Sequence, residues 1–324
     1  MIVFRISGEH EGLALEEIKA LYDTYGTGFN IAASDNRQLL VKNDLDSSIL
    51  QRLAFTHEFF IANTVSTLKK LDEVLLGQGL KKGESFCVRC MGFPDNSKEE
   101  KRVGGIMHVG FGNPVDLKNP DVTLHLIKIE DSVAICKERF ETDDFNKRDP
   151  NKRPYFHPLA LSPKLARLFL NLARLKEGDT VLDPFCGSGS ILIEASLMGL
   201  NALGSDKDRE ILWGCAQNLE SYRLKAKTGE ADATDIQQTN LDAIVSDPPY
   251  ARASKMFDSE LDDLYSKFLI SAFRALKPNG FLVISVPHDA RLAYASVGFE
   301  MTKNFLLYVH KSLTRRIYIL KKPN

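Results

Sequence analysis

Leu241-Asp242-Ala243-Ile244-Val245-Ser246-Asp247-Pro248-Pro249-Tyr250 decides how this chain is read. The apolar run 241–245 predicts a buried strand, and 258–276 predicts a long helix with apolar residues at 261, 264, 265, 268, 272, 273 and 276. Asp247, Pro248, Pro249 and Tyr250 stand between them. Neither proline carries an N–H, so the turn is an acceptor-only ledge beside an aromatic face. Outward from it, helices and strands alternate from residue 161 to the end. Ser162 and Pro163 start a helix, and strands are expected near 180–182, 202–205, 225–229, 241–246, 281–286, 299–308 and 315–320. This alternation predicts an α/β fold, a parallel sheet sandwiched by helices. The last two strands have no helical pattern between them and should form an antiparallel hairpin.

Upstream, Asp183-Pro184-Phe185-Cys186-Gly187-Ser188-Gly189-Ser190 follows the strand at 180–182. Gly187 and Gly189 permit a tight strand-to-helix turn and close approach of a ligand. A dinucleotide site would place a glycine directly after the strand and another three residues beyond the second. Asp183-Pro184-Phe185 and Leu192 occupy those positions instead. A carboxylate there repels a diphosphate and favours the cationic sulfonium and ammonium of S-adenosylmethionine. Asp206, with Lys207 after it, ends the next strand and can accept from ribose hydroxyls. Asp232, followed by Ala233, can accept from an adenine amine. Each acid alone could be a turn residue or a helix cap. Asp208 competes with Asp206, but reads as a first-turn helix residue. Acids at successive strand ends of a doubly wound sheet line one crevice.

The exocyclic amine of a purine is a poor nucleophile because its lone pair is delocalised. Asp247 and the Pro248 carbonyl can accept hydrogen bonds from it, and Tyr250 can stack on the base. The two motifs together point to methyl transfer onto a nucleobase nitrogen.

The chain has 324 residues, enough for two or three cored domains, and its net charge of −1 confines any nucleic-acid binding to local patches. No apolar run has the length of a membrane span, and residues 1–5 lack a signal-peptide core, so a cytoplasmic protein is expected. Cys87 and Cys90 form a lone CxxC on an expected strand at 85–91. Side chains three apart on a strand face opposite ways, so no metal is expected. Residues 1–65 read as a small α+β unit of ferredoxin-like pattern. Residues 66–141 read as a second mixed module, in which glycines at 104, 105, 110 and 112 weaken any helix beyond 102. Residues 142–160 form a polar, proline-bearing linker. Lys147, Arg148, Lys152 and Arg153 make it either a solvated connector or a phosphate-binding strap.

On these motifs the second half, 161–324, resembles the class I S-adenosylmethionine-dependent methyltransferases. Residues 109–121, Val-Gly-Phe-Gly-Asn-Pro-Val-Asp-Leu-Lys-Asn-Pro-Asp, resemble the core of THUMP domains. Arg153-Pro154-Tyr155-Phe156-His157-Pro158, followed by Ser162-Pro163-Lys164-Leu165-Ala166-Arg167, is similar to the archaeal THUMP-domain tRNA guanine-10 N2-methyltransferases. The resemblance implies a Rossmann-like seven-stranded sheet of order 3-2-1-4-5-7-6 behind a ferredoxin-like and THUMP region. It also implies a tRNA substrate, S-adenosylmethionine as donor, and a monomer without an activator subunit. His157 would line the cofactor mouth. The basic linker, Arg252, Lys311, Arg315 and Arg316 would track the RNA backbone. Guanine 6 of tRNA is the alternative target, and a catalytically silent tRNA-binding protein the alternative role. DNA adenine N6 is disfavoured by the THUMP-like segment. Silence is disfavoured by the intact Asp183, Asp206, Asp232 and Asp247.

Overall fold

The computed structural model describes residues 1–249, 255–290, 292–310 and 313–324, the side chains of 255–259 and 310 excepted. The chain divides into two units. The first comprises Met1–Ala14, Gly26–Gln51 and Thr56–Thr142, the second Leu15–Tyr25, Arg52–Phe55 and Asp143–Asn324.

Through the first unit run β1 (Ile2–Ile6), the start of helix α1 (Glu11–Tyr25), β2 (Ile31–Asp35), β3 (Gln38–Val41), α2 (Ser47–Leu50), β4 (Thr56–Thr67), α3 (Leu71–Leu76), β5 (Phe86–Met91), α4 (Asn96–Phe111), β6 (Val122–Ile129) and β7 (Ser132–Glu141). The strands form one sheet of order β2-β3-β1-β4-β7-β6-β5, antiparallel except for the β5–β6 pair. Strands from 1–65 and from 66–141 thus share a sheet through the β4–β7 ladder.

Two elements of this unit differ from the expectation. Strand β2 has no apolar alternation and was not foreseen. It is made by a hairpin whose tip, Asn36-Arg37, holds two consecutive left-handed residues. Helix α4 runs on through Gly104 and Gly105. Asp95 caps it by accepting from the Lys98 N–H at 2.9 Å, and Val103 and Met107 are buried against β5. That burial offsets the roughly 1 kcal/mol each glycine costs a helix. On β5, Cys90 joins the core and burial pushes its thiol up to about 12, while Cys87 Sγ lies 3.5 Å from Thr123 Oγ1.

The second unit continues with α5 (Pro163–Leu172), β8 (Thr180–Asp183), α6 (Ser190–Leu197), β9 (Asn201–Asp206), α7 (Arg209–Ser221), β10 (Lys227–Glu230), β11 (Leu241–Ser246), α8 (Lys255–Ala275), β12 (Leu276–Pro287), α9 (Tyr294–Val297), β13 (Glu300–His310) and β14 (Leu313–Lys321). Ser162 caps α5 and Pro163 takes its first position. The sheet order is β10-β9-β8-β11-β12-β14-β13. Counted from β8 this is 3-2-1-4-5-7-6. The five strands from β10 to β12 are parallel, and β14 lies antiparallel between β12 and β13. Helix α8 seats Phe268, Leu269 and Ala272 on the core formed with Ile244, Leu282 and Ile284. The four-residue α9 is too short to show periodicity in the sequence. No helix among the described residues is long and apolar enough to cross a membrane.

Candidate active site

The carboxyl ends of β8, β9 and β11 carry the acids singled out above. Asp183 ends β8 and is only 2% exposed. Its Oδ1 accepts from Ser246 Oγ at 2.6 Å and from the Phe185 N–H at 3.2 Å. Burial pushes this carboxyl up to about 7, helped by the nearby Asp206 and Asp247 and opposed by those two hydrogen bonds.

The loop after β8 needs its glycines. Gly187 and Gly189 have φ of 51° and 89°, and a Cβ on Gly189 would lie 2.7 Å from Cys215 Sγ. Asp206, at the end of β9, clips this loop: its Oδ2 accepts from the Gly187 N–H at 2.9 Å and its Oδ1 from the Asp208 N–H at 3.1 Å. Asp208 caps α7, accepting from the Glu210 and Ile211 N–H groups. The buried Asn218 on α7 holds the other side, donating to the Ser188 and Tyr155 carbonyls at 3.0 Å each.

Asp247 directly follows β11. Its Oδ2 lies 3.2 Å from Arg315 Nη1, both side chains being 9% exposed. Pro248 is buried, and the Pro249 carbonyl accepts from the hydroxyl of the buried Tyr265 at 2.9 Å. Tyr250, Arg252 and Lys311 lie outside the described residues.

A cleft of about 350 Å³ opens along these ends. Asp183, Phe185, Gly187, Ser188, Asp206, Asp247 and Pro249 line it, and His157 and Leu159 contribute from the linker side. Its described lining holds three carboxylates and no lysine or arginine. Pro184, Gly189, Lys207, Asp232, Ala233 and Pro248 are not part of that lining. Asp232 pairs with Lys207 Nζ at 2.8 Å and accepts from the Thr234 N–H and hydroxyl. Lys207 foremost, then the Thr234 N–H, holds its carboxyl down to about 2.

The basic residues proposed for RNA divide. Lys147 and Lys152 are exposed. Arg148, Arg153 and Arg315 are not on the surface. Glu194 of α6 is fully buried, and a buried carboxylate needs cations. Arg148 meets it with Nε at 2.6 Å and Nη2 at 3.1 Å, and Arg167 with Nη2 at 2.8 Å. Arg153 donates to Ser190 Oγ at 2.8 Å and to the Arg148 carbonyl at 3.1 Å. These arginines fasten residues 143–153 to α5 and α6. Arg316 is half-buried and donates to Asn304 Oδ1 at 2.9 Å.

Three residues of the site had not been singled out: Ser246, Asn218 and Tyr265; Arg315 was expected along the RNA backbone, and it stands beside Asp247. The signal for Arg315 was present. It falls in the period-two row of Leu313, Ile317 and Ile319, all buried on one face of β14.

The sheet order and the strand-end cleft define a Rossmann-like methyltransferase fold. Residues 150–317 match the family described as RMKL-like, methyltransferase domain, and the chain belongs to that family. It is 31% identical to a protein of Methanothermobacter thermautotrophicus named tRNA (guanine(10)-N2)-dimethyltransferase, over 98% of each chain. A protein of Pyrococcus abyssi with the same name is 32% identical over 99% of each. A Thermus thermophilus protein named tRNA (guanine(6)-N2)-methyltransferase is 29% identical over 96% of each. Among solved structures, TrmN from Thermus thermophilus is similar in fold, with TM-score 0.53 and 22% identity over 99% of each chain.

Proposed function

We propose that this protein transfers methyl groups from S-adenosylmethionine to the exocyclic N2 of guanine 10 in tRNA. One observation carries the reading: Asp183, Asp206 and Asp247 converge with Pro249 on a single cleft. The full-length relatives named for guanine 10 supply the substrate class.

The residues present fit the donor. The cleft volume lies within the roughly 300–1,000 Å³ usual for small-molecule sites. The three carboxylates of its described lining suit a cationic ligand, and Gly187 and Gly189 leave the loop backbone open to close approach. Asp183 would balance positive charge and Asp206 would accept from ribose hydroxyls. Asp232 with Lys207 would take the adenine end, and His157 the cofactor mouth. When bound, S-adenosylmethionine supplies an electrophilic methyl group. Asp247 accepts hydrogen bonds from the guanine amine, aims its lone pair, and takes the proton released as the nitrogen is methylated. Positioning of this kind accounts for about 7–11 kcal/mol of barrier lowering in well-oriented reactions.

The first unit would deliver the tRNA, 1–65 as a ferredoxin-like domain and 66–141 as a THUMP domain. Lys147 and Lys152 of the linker 142–160 would touch phosphate. The protein would act in the cytoplasm as a monomer without an activator subunit. The target nucleotide would be extruded from its stem. Guanine 6 is the second reading, favoured by the Thermus thermophilus relative. Labelled methyl transfer to transcript tRNA, followed by mass spectrometry of the modified nucleotide, decides between positions 10 and 6 and counts the methyl groups. An Asp247→Ala variant retaining the full rate would exclude the proposed acceptor.

A further inference from the structure

One cation sits inside the apolar alternation of β14. Leu313, Arg315, Ile317 and Ile319 are buried on one face, whereas Thr314, Arg316 and Tyr318 are half-buried on the other. A buried guanidinium is costly unless a carboxylate meets it. The sheet brings that carboxylate. Arg315 stands opposite Pro287, at the carboxyl end of β12, and β12 lies beside β11, whose carboxyl end carries Asp247. The antiparallel β14 thus delivers its first turn of chain to the edge where the parallel strands finish. The result is the 3.2 Å pair between Arg315 Nη1 and Asp247 Oδ2.

We infer that Arg315 is a positioning residue for methyl transfer: its guanidinium aims the Asp247 carboxylate and keeps it an acceptor for the guanine amine. This deepens, and rests on, the reading of Asp247 as that acceptor. The charged and titratable groups around Asp247 make the pairing matter. Asp183 of β8 and Asp206 of β9 share the cleft with it, as does His157 of the linker, and Arg315 of β14 brings the guanidinium. Among three crowded carboxylates, one deprived of its cation takes up a proton more readily. A protonated carboxyl presents an O–H, which does not suit an amine donor. Arginine also holds a carboxylate with a planar fork that lysine lacks.

The test compares wild type, R315Q and R315K in single-turnover methyl transfer to a tRNA transcript across neutral pH, with S-adenosylhomocysteine affinity measured by calorimetry. R315Q should transfer roughly 100-fold more slowly. Its acid limb should move up by about one pH unit or more. Its affinity for S-adenosylhomocysteine should stay within about threefold of wild type. R315K should lose roughly tenfold in rate and keep the wild-type pH profile. An R315Q rate within about threefold of wild type overturns the inference. So does a slowed R315Q whose acid limb has not moved, or a loss of rate matched by loss of affinity. Should R315Q fail to fold, R315K decides: an unchanged rate overturns the role, and a tenfold loss at retained affinity supports it. A wild type that methylates no guanine N2 overturns the parent reading as well, whereas failure confined to the variants strikes Arg315 alone.

Discussion

Ser246 Oγ donates a 2.6 Å hydrogen bond to Asp183 Oδ1, joining the end of β11 to the end of β8 at the floor of the cleft. The bond ties the proposed cofactor loop to the proposed catalytic segment, because Asp247 is the next residue after Ser246. It also sets the charge of the site. Burial lifts Asp183 to about 7, and the Ser246 bond opposes that lift.

A cationic donor should therefore bind better as pH rises. If binding requires the ionised Asp183, affinity for S-adenosylmethionine should fall about tenfold from pH 8 to pH 6. Ser246→Ala should move this midpoint upward. Calorimetry at several pH values checks both, and a flat profile in wild type contradicts the assignment.

The same carboxyl predicts a stability effect of definite sign. Its folded value, about 7, lies above its ordinary value of 3.8. Its contribution is fully present below the ordinary value and is lost as pH rises through about 7. The gap corresponds to roughly 4 kcal/mol as an upper figure. Asp183→Asn removes the charge and retains an oxygen for Ser246 and Phe185. The variant should gain Tm relative to wild type between about pH 4 and pH 8, while losing donor binding. Thermal melts at the two ends of that range measure the difference.

Glu194 makes a second test, of the linker. Removing one partner from a buried ion pair costs about 3–5 kcal/mol, so Arg148→Ala should lower urea stability by that order. Arg148 is buried, so tRNA affinity of the folded variant should hold. Lys147→Ala and Lys152→Ala should leave stability within about 0.5 kcal/mol. Each should reduce the salt slope of tRNA binding by about one. A salt slope lowered by Arg148→Ala alone would restore the phosphate-strap reading of that residue.

The contrast between these residues shows what was legible in the sequence. Asp183, Gly187, Gly189, Asp206 and Asp247 announce themselves locally, as acids and glycines at the ends of apolar runs. The sheet order then brings Asp183, Asp206 and Asp247 to one cleft. Arg148, Arg153 and Arg315 are buried, which charge counting does not see. Their partners were the missing signal: Glu194 sits among Ile191, Leu192, Ile193 and Ala195, where an acid demands a cation. Strand β2 escaped because its apolar residues do not alternate and only the Asn36-Arg37 tip marks the turn.

Gly189 is constrained twice. Its φ is +89°, and a Cβ would meet Cys215 Sγ at 2.7 Å. Gly189→Ala should cost about 1–3 kcal/mol, from backbone strain and the clash together. It should also weaken donor binding by displacing the loop. Adding Cys215→Ala removes the clash but not the strain, so the pair should recover only part of the loss. Full recovery, measured by urea unfolding, would show that the backbone conformation carries no cost.

Tyr265 separates positioning from folding at the catalytic segment. Its ring is buried against the core of α8, and its hydroxyl donates to the Pro249 carbonyl at 2.9 Å. Tyr265→Phe keeps the ring and removes only this bond, at a stability cost of about 1 kcal/mol. The Pro248-Pro249 turn loses this tie to α8, so Asp247 and Pro249 should hold the guanine less accurately. The expected result is a fall in single-turnover rate of roughly tenfold, with S-adenosylhomocysteine affinity unchanged. Equal losses in rate and affinity would instead mean that Tyr265 supports the whole cleft and does not act on the catalytic segment.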